Sequence, residues 1–267
     1  MKLCMMSSVL GFDAPPQEAV DIACYCNMEA MDWVFFAEQN IDPVFLRKLT
    51  LDAGLKVASY TPLFFSHVNG EKDWQEKFYR ELDKAAALFA PVMMVPPLPA
   101  DNQISLDEGR KQWMEFYIWA APLALKSGIQ LTVEATGMDN SPITTAGEVM
   151  EILEAVPELK LTLDYGNMAT AGVEPEELKI FSGKIAHIHL KDWNISSVPT
   201  EKAELKRCGR YFADAVIGRG DLDLKASWDV LSPADRECFV NLETMDFCGT
   251  SSTRDVLKKL SDELRYW

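Results

Sequence analysis

Four short apolar runs in the C-terminal half of the chain each end in a residue able to bind a cation. They read Leu131-Thr132-Val133-Glu134, Leu161-Thr162-Leu163-Asp164, Ala186-His187-Ile188-His189 and Val240-Asn241-Leu242-Glu243. Side chains alternate faces along a strand. Leu131, Val133, Leu161, Leu163, Ala186, Ile188, Val240 and Leu242 would then share one face, and all eight are apolar. Thr132, Glu134, Thr162, Asp164, His187, His189, Asn241 and Glu243 would share the other. Three carboxylates brought together inside a protein repel one another and each loses hydration. A divalent cation resolves that conflict, because three carboxylates and a neutral imidazole around a dication leave a local charge near −1. Two of the three histidines in the chain lie on one of these runs. Three oxygen donors and one nitrogen suit a fairly hard ion, and six-coordination leaves room for substrate oxygens.

The elements that would position this set follow from an alternation along the chain. Candidate strands are Lys2–Ser7, Asp32–Phe36, Lys56–Tyr60, Val92–Val95, Gln130–Glu134, Lys160–Asp164, Lys184–Leu190 and Cys238–Glu243. Helical periodicity fills the gaps at Gln17–Met31, Pro43–Asp52, Asp73–Leu88, Ser105–Lys126, Thr145–Val156, Leu224–Leu231 and Thr253–Tyr266. Pro15-Pro16 opens the first of these, Gly54 closes the second, and Thr145 with Glu148 fits a capping box. Between Asp164 and the seventh strand only Pro175–Phe181 reads as helical. Alternating β and α units imply a parallel sheet. Eight of them in 267 residues favour an α/β fold closed as a (β/α)8 TIM barrel, which typically needs about 250, in one domain over residues 1–267. No Gly-x-Gly-x-x-Gly follows the first strand, which disfavours a dinucleotide-binding fold. The four cation-binding residues end their strands at the C-terminal mouth of such a barrel, where active sites are built. The long irregular stretch Trp193–Leu222 would lie over that mouth.

Composition narrows the partners. A net charge of −15 repels phosphate backbones and anionic lipid, so neither nucleic acid nor membrane is expected. No run reaches the roughly 18 uninterrupted apolar residues of a membrane helix. The N-terminus does not read as a secretory signal. The cysteines, Cys24-x-Cys26 included, read as buried free thiols of a cytoplasmic protein.

The segments Val133-Glu134, Leu163-Asp164-Tyr165-Gly166-Asn167, His187-Ile188-His189-Leu190-Lys191-Asp192 and Leu242-Glu243 resemble signatures of the sugar phosphate isomerase/epimerase family, within the xylose-isomerase-like barrel superfamily. That group includes ketose 3-epimerases, hydroxypyruvate isomerases, inosose dehydratases, 3-dehydroshikimate dehydratases and endonuclease IV. Gly218-Arg219-Gly220-Asp221-Leu222 is similar to the family's Gly-x-Gly segment. The resemblance covers the chain in element order and is most specific from residue 130 to 245. It implies one divalent metal ion held by Glu134, Asp164, His189 and Glu243, Mn2+ first, with Co2+, Mg2+ or Zn2+ as alternatives. It also implies Glu134 and Glu243 as the catalytic bases, one on each face of the substrate. Many relatives have Asp-x-x-His where this chain has Asp164-Tyr165-Gly166-Asn167. Asn167 can bond a hydroxyl but is a poor second metal ligand, which argues against the DNA-repair branch.

The expected chemistry is isomerisation or epimerisation of a small sugar or hydroxy-carbonyl compound, by proton transfer through a metal-stabilised enediolate. A dehydratase of an inosose- or dehydroshikimate-like keto compound shares the opening step and is the alternative. A non-catalytic sugar-binding barrel is a third reading, which the presence of both glutamates disfavours. Further candidate substrate contacts are His187, Lys191, Arg219, Glu38 and His67. The absence of a phosphate-cradling glycine loop points to an unphosphorylated substrate. Related barrels form dimers or tetramers, so a homodimer or homotetramer is expected. The aromatics Trp113, Phe116, Tyr117 and Trp119 read as core.

Overall fold

The computed structural model describes residues 1–99 and 104–267. Seven strands, β1 (Lys2–Met6), β2 (Ala30–Phe36), β3 (Lys56–Leu63), β4 (Val92–Met94), β5 (Gln130–Glu134), β6 (Lys160–Asp164) and β7 (Ile185–Leu190), pair in parallel in sequence order. The excursion β8 (Asp192–Ser196), β9 (Glu204–Leu205) and β10 (Tyr211–Ala215) follows, and β11 (Phe239–Leu242) then pairs with both β7 and β1 to close the barrel. The outer ring is α1 (Pro16–Tyr25), α2 (Pro43–Asp52), α3 (Trp74–Leu88), α4 (Leu106–Lys126), α5 (Ala146–Ala155), the short α6 (Tyr165–Ala169), α7 (Leu224–Asp229) and α8 (Thr253–Leu264). Among the described residues no helix is long and apolar enough to cross a membrane.

Local chemistry sets several boundaries. The Asp42 side chain accepts from the Phe45 N–H ahead of α2, and Ser105 does the same for Glu108 at α4. Thr145 and Glu148 form the expected capping box. The first helix stops at Tyr25, well short of Met31. Asn27 turns left-handed (φ 52°), and the apolar Ala30-Met31 pair joins β2, where Ala30 sits opposite Cys4 of β1. The stretch after Asp164 holds α6 as well as the 3-10 segment Pro175–Phe181.

Trp193–Leu222 is irregular only in part. Its alternating Tyr211-Phe212-Ala213-Asp214-Ala215 run pairs antiparallel with β8 and β9, and Phe212 and Trp193 are buried against each other. All six cysteines are free, but only Cys4 and Cys26 are buried, while Cys24 and Cys248 are exposed.

The outward faces of β5, β6, β7 and β11 pack as expected, with Leu131, Val133, Leu161, Leu163, Ile188, Val240 and Leu242 in the main apolar core. The interior is different. Small Cys4, Ala30 and Ala58 fill one level. A polar level of Asp32, Ser59, Thr132, Thr162, His187 and Asn241 is fully or almost fully buried. Buried polar groups need partners, and Thr132 and Thr162 share a 2.8 Å hydrogen bond across β5 and β6. The β2–β3 register shifts between Met31 and Asp32, and the β6–β7 register between Leu161 and Thr162. Such irregularities re-aim side chains beside sites.

Candidate metal centre and active-site mouth

Glu134, Asp164 and His189 end β5, β6 and the inward row of β7, and Glu243 directly follows β11. Their four candidate ligand atoms lie within 4.8 Å of one another. Asp164 divides its carboxylate. Oδ1 accepts from the Asn167 N–H (2.9 Å) and so caps α6, while Oδ2 is buried with no hydrogen-bond partner. Glu134 Oε1 and His189 Nδ1 are likewise buried without a hydrogen-bond partner, and His189 Nε2 has only the Asp32 carboxylate, 3.4 Å away. His189 Nδ1 stands only 2.6 Å from Glu134 Oε1, yet the pair lacks hydrogen-bond geometry. Both atoms face the same small space, as two ligands of one ion would.

The electrostatics agree. Burial, reinforced by Glu243 and Glu134, pushes the Asp164 carboxyl well above the usual carboxylate range. Burial also raises Glu134, against the opposing pull of His189. Burial favours the neutral His189 ring, but Glu134 and Asp32 outweigh it and raise its pKa well above the ordinary value. Glu243 moves the other way. Burial would raise it, but Lys191, whose Nζ donates to Glu243 Oε1 at 2.7 Å, and His189 hold it down. A cation removes the conflict among these groups, so the donor set fits a divalent ion.

One level deeper, Asp32 is fully buried with Oδ2 3.4 Å from Nε2 of both His187 and His189. It accepts from Asn241 Nδ2 at 2.7 Å and from the Thr61 hydroxyl at 3.4 Å. Burial alone would raise its carboxyl, but the two imidazoles hold it far below the usual range. A carboxylate on the far nitrogen of a ligating histidine fixes the ring's tautomer and orientation. Asp32, His187 and His189 themselves form a second grouping with metal-ligand spacing, sharing His189 with the first. Sequence reasoning misses Asp32. The available signal is a lone carboxylate inside Ala30-Met31-Asp32-Trp33-Val34-Phe35-Phe36.

Above the four candidate ligand residues lies a cavity of about 290 Å³. Glu134, His189, Glu243, Asn167 and Lys191 reach it, and Asp164 does not. The other expected contacts lie elsewhere. His187 is in the Asp32 level, with Nε2 3.5 Å from Ser59 Oγ. His67 is enclosed by Trp74, Trp113 and Phe116, and its Nε2 meets the Gln112 carbonyl at 2.8 Å. Glu38 sits in left-handed backbone (φ 66°), with its carboxylate 3.1 Å from Lys77. Arg219 lines a separate cavity of about 570 Å³ with Asp214, Phe247 and Lys259. Sequence position after a strand end does not reveal these directions, because the β2 and β3 loops turn outward onto α3 and α4. Trp113, Phe116 and Tyr117 are fully buried, as expected of core.

Two glycines let the mouth close up. A Cβ at Gly166 would lie 2.7 Å from the Lys191 carbonyl oxygen, and one at Gly220 would overlap Asp192 Oδ1. Asp192 is buried and accepts backbone N–H groups from Trp193, Gly218, Gly220 and Leu222, tying the Gly218–Leu222 turn to the end of β7. Trp193 Nε1 donates to the Gly166 carbonyl at 2.9 Å.

A family model described as a xylose isomerase-like TIM barrel matches residues 30–265. The chain belongs to the xylose isomerase-like TIM barrel family. Within it, an inosose isomerase of Halalkalibacterium halodurans is 24% identical over 182 residues, which span 63% of this chain and 64% of that protein. The match thus covers less than two thirds of the relative's length. The crystal structure of the IOLI protein with a bound zinc atom superposes with a TM-score of 0.77 at 17% identity, covering 98% of this chain and 96% of the other. A D-psicose 3-epimerase crystallised in the presence of D-fructose also gives 0.77, at 14% identity, over 100% and 98% of the two chains. These superpositions show that the family's barrel is kept through nearly the full chain.

Proposed function

We propose that this barrel is a divalent-metal-dependent isomerase or epimerase that moves a proton at a carbon next to the carbonyl of a small sugar or hydroxy-carbonyl compound. The observation that carries the reading is the convergence of unpartnered Glu134, Asp164 and His189 atoms with Glu243 beneath a small-molecule cavity. The zinc-bound neighbour and the epimerase neighbour support it by likeness of fold. Glu134, Asp164, His189 and Glu243 would hold the ion, with Mn2+, Co2+, Mg2+ and Zn2+ all compatible with the donors. When bound, the ion supplies positive charge that acidifies the carbon next to a carbonyl.

The protein's own groups divide the remaining work. Glu134 and Glu243 both reach the cavity, and their strands are separated in the barrel by β6 and β7. They approach a substrate from two sides, one removing the proton and the other returning it. Asp164, shut away from the cavity, serves only to hold the ion. Lys191 keeps Glu243 ionised and ready to accept a proton. Asn167 presents to the cavity a side-chain amide that has no protein partner among the described residues, suited to a substrate hydroxyl.

The test is incubation of metal-loaded protein with keto-sugars and inosose in D2O. Solvent deuterium entering at a substrate carbon without loss of water is the expected result. A dehydrated, ultraviolet-absorbing product would redirect the reading to a lyase. The absence of both exchange and turnover across the panel would refute proton transfer.

A further inference from the structure

We propose that the substrate of this site carries an anionic group, a carboxylate or a phosphate, held beside Trp193 by the ammonium groups of Lys206 and Lys191. The inference rests on the proposed small-molecule site and specifies which molecules it takes. In a chain of net charge −15, two lysines line the cavity, and both stand against one indole. Lys191 Nζ is 5.0 Å and Lys206 Nζ 5.8 Å from the Trp193 ring centroid. A lysine normally extends its charged end into water. The Lys206 side chain is only 6% exposed, although it adjoins a two-residue strand on the rim.

The placement is held by the surrounding structure. Residues 206–210 form a tight turn in which the Lys206 N–H donates to Arg210 O and the Gly209 N–H donates to Lys206 O, each at 2.8 Å. Next door, Arg207 grips Glu148 of α5 with both terminal nitrogens (2.9 and 2.8 Å), and the Cys208 N–H donates to Thr170 O beyond α6. Two-point guanidinium–carboxylate contacts fix orientation as well as position. The turn is therefore pinned to two barrel units, with Lys206 aimed inward.

The existing counter-charges are incomplete. Lys206 meets Glu204 at 2.6 Å, but that carboxylate is 76% exposed and screened by water. Lys191 meets Glu243, whose charge is shared with the ion when the site is loaded. Each ammonium has three donors and makes one such contact. The opposite wall, with Met6, Phe12, Val34, Leu63 and Met94 from the β1–β4 side, is mostly apolar and carries hydroxyls at Ser8 and Thr61 but no charge. The cavity is thus polarised, with cations on the β7 and excursion side and a carbon-facing surface across from them. A neutral ketose would leave the two ammonium groups without the anion this arrangement is built to meet.

The test measures binding of D-fructose, 5-keto-D-gluconate and D-fructose 6-phosphate to the metal-loaded full chain by calorimetry, with deuterium exchange followed in parallel. At least one anionic ketose should bind about tenfold more tightly than fructose, as expected for one added charge-assisted contact. Which one it is separates carboxylate from phosphate. Lys206→Met keeps the side-chain stem and should cut the preference severalfold, with Lys191 left as the one remaining ammonium group. Lys206→Arg should retain it, which guards against misfolding as the cause. Equal or tighter binding of fructose, or an equal loss for all three ligands in Lys206→Met, overturns the proposal. Deuterium exchange without anion preference removes this inference and leaves the proton-transfer reading standing. Anion preference without exchange does the reverse.

Discussion

Asp32→Asn tests whether the deeper carboxylate tunes the metal centre. The substitution is nearly isosteric and removes the charge facing Nε2 of His189, 3.4 Å away. The fold should tolerate it. In the wild-type chain Asn241 Nδ2 donates to Asp32, and Asn241 Oδ1 is buried with no partner. Rotating the Asn241 amide would let that oxygen accept from the amide introduced by the substitution. The effect should then concentrate on His189, which loses the group that fixes its Nε2–H tautomer and leaves Nδ1 free for the ion. Loss of such outer partners typically costs about 10–100-fold in metal affinity. The 3.4 Å separation is longer than a strong charge-assisted bond, and Asp32 is shared among His187, His189, Asn241 and Thr61. The lower end is therefore expected, about tenfold, or ~1.4 kcal/mol. Competition titration of Mn2+ and Zn2+ against a chromophoric chelator, with a thermal melt of the metal-free protein as a fold control, reads this directly. Unchanged metal affinity in a folded Asp32→Asn protein would refute the tuning role.

Metal affinity should fall as pH is lowered, with protons released on binding, because the raised His189, Asp164 and Glu134 groups hold protons that the ion must displace. Calorimetry near neutral pH in buffers of different ionisation enthalpy counts them, and the absence of any proton release contradicts the assignment. Glu148→Gln should loosen the excursion, seen as faster amide exchange in residues 197–210. Burial opposes its ionisation, but Arg207 and two backbone N–H groups draw the Glu148 pKa down to about 2 from 4.5. Its contribution is therefore present above pH 4.5 and lost as pH falls toward 2. Gly220→Ala should destabilise by about 1–3 kcal/mol, since its Cβ would press on Asp192 and the Trp193 carbonyl, and a wild-type melting curve would contradict that contact.

The period-two pattern of four strand ends is enough to place Glu134, Asp164, His189 and Glu243 on one barrel face, because strand geometry alone dictates alternation and the apolar partners are adjacent in sequence. The eight-strand order follows from the same local regularity. Asp32 is hidden because its partners Asn241, His187 and His189 come from other strands of the closed barrel, far away in the chain. Glu38, His67 and Arg219 share a plausible position after strands, yet the Glu38 and His67 loops turn outward and the Arg219 side chain lines a different cavity. Lys206 lies in a polar stretch whose sequence gives no hint of burial, and distant contacts, Arg207 to Glu148 and Cys208 N–H to Thr170 O, bring it to the cavity. What sequence determined was the local direction of side chains along each strand. What tertiary structure decided was which distant groups meet, since ring closure and the folding back of the excursion bring together residues with no local relation.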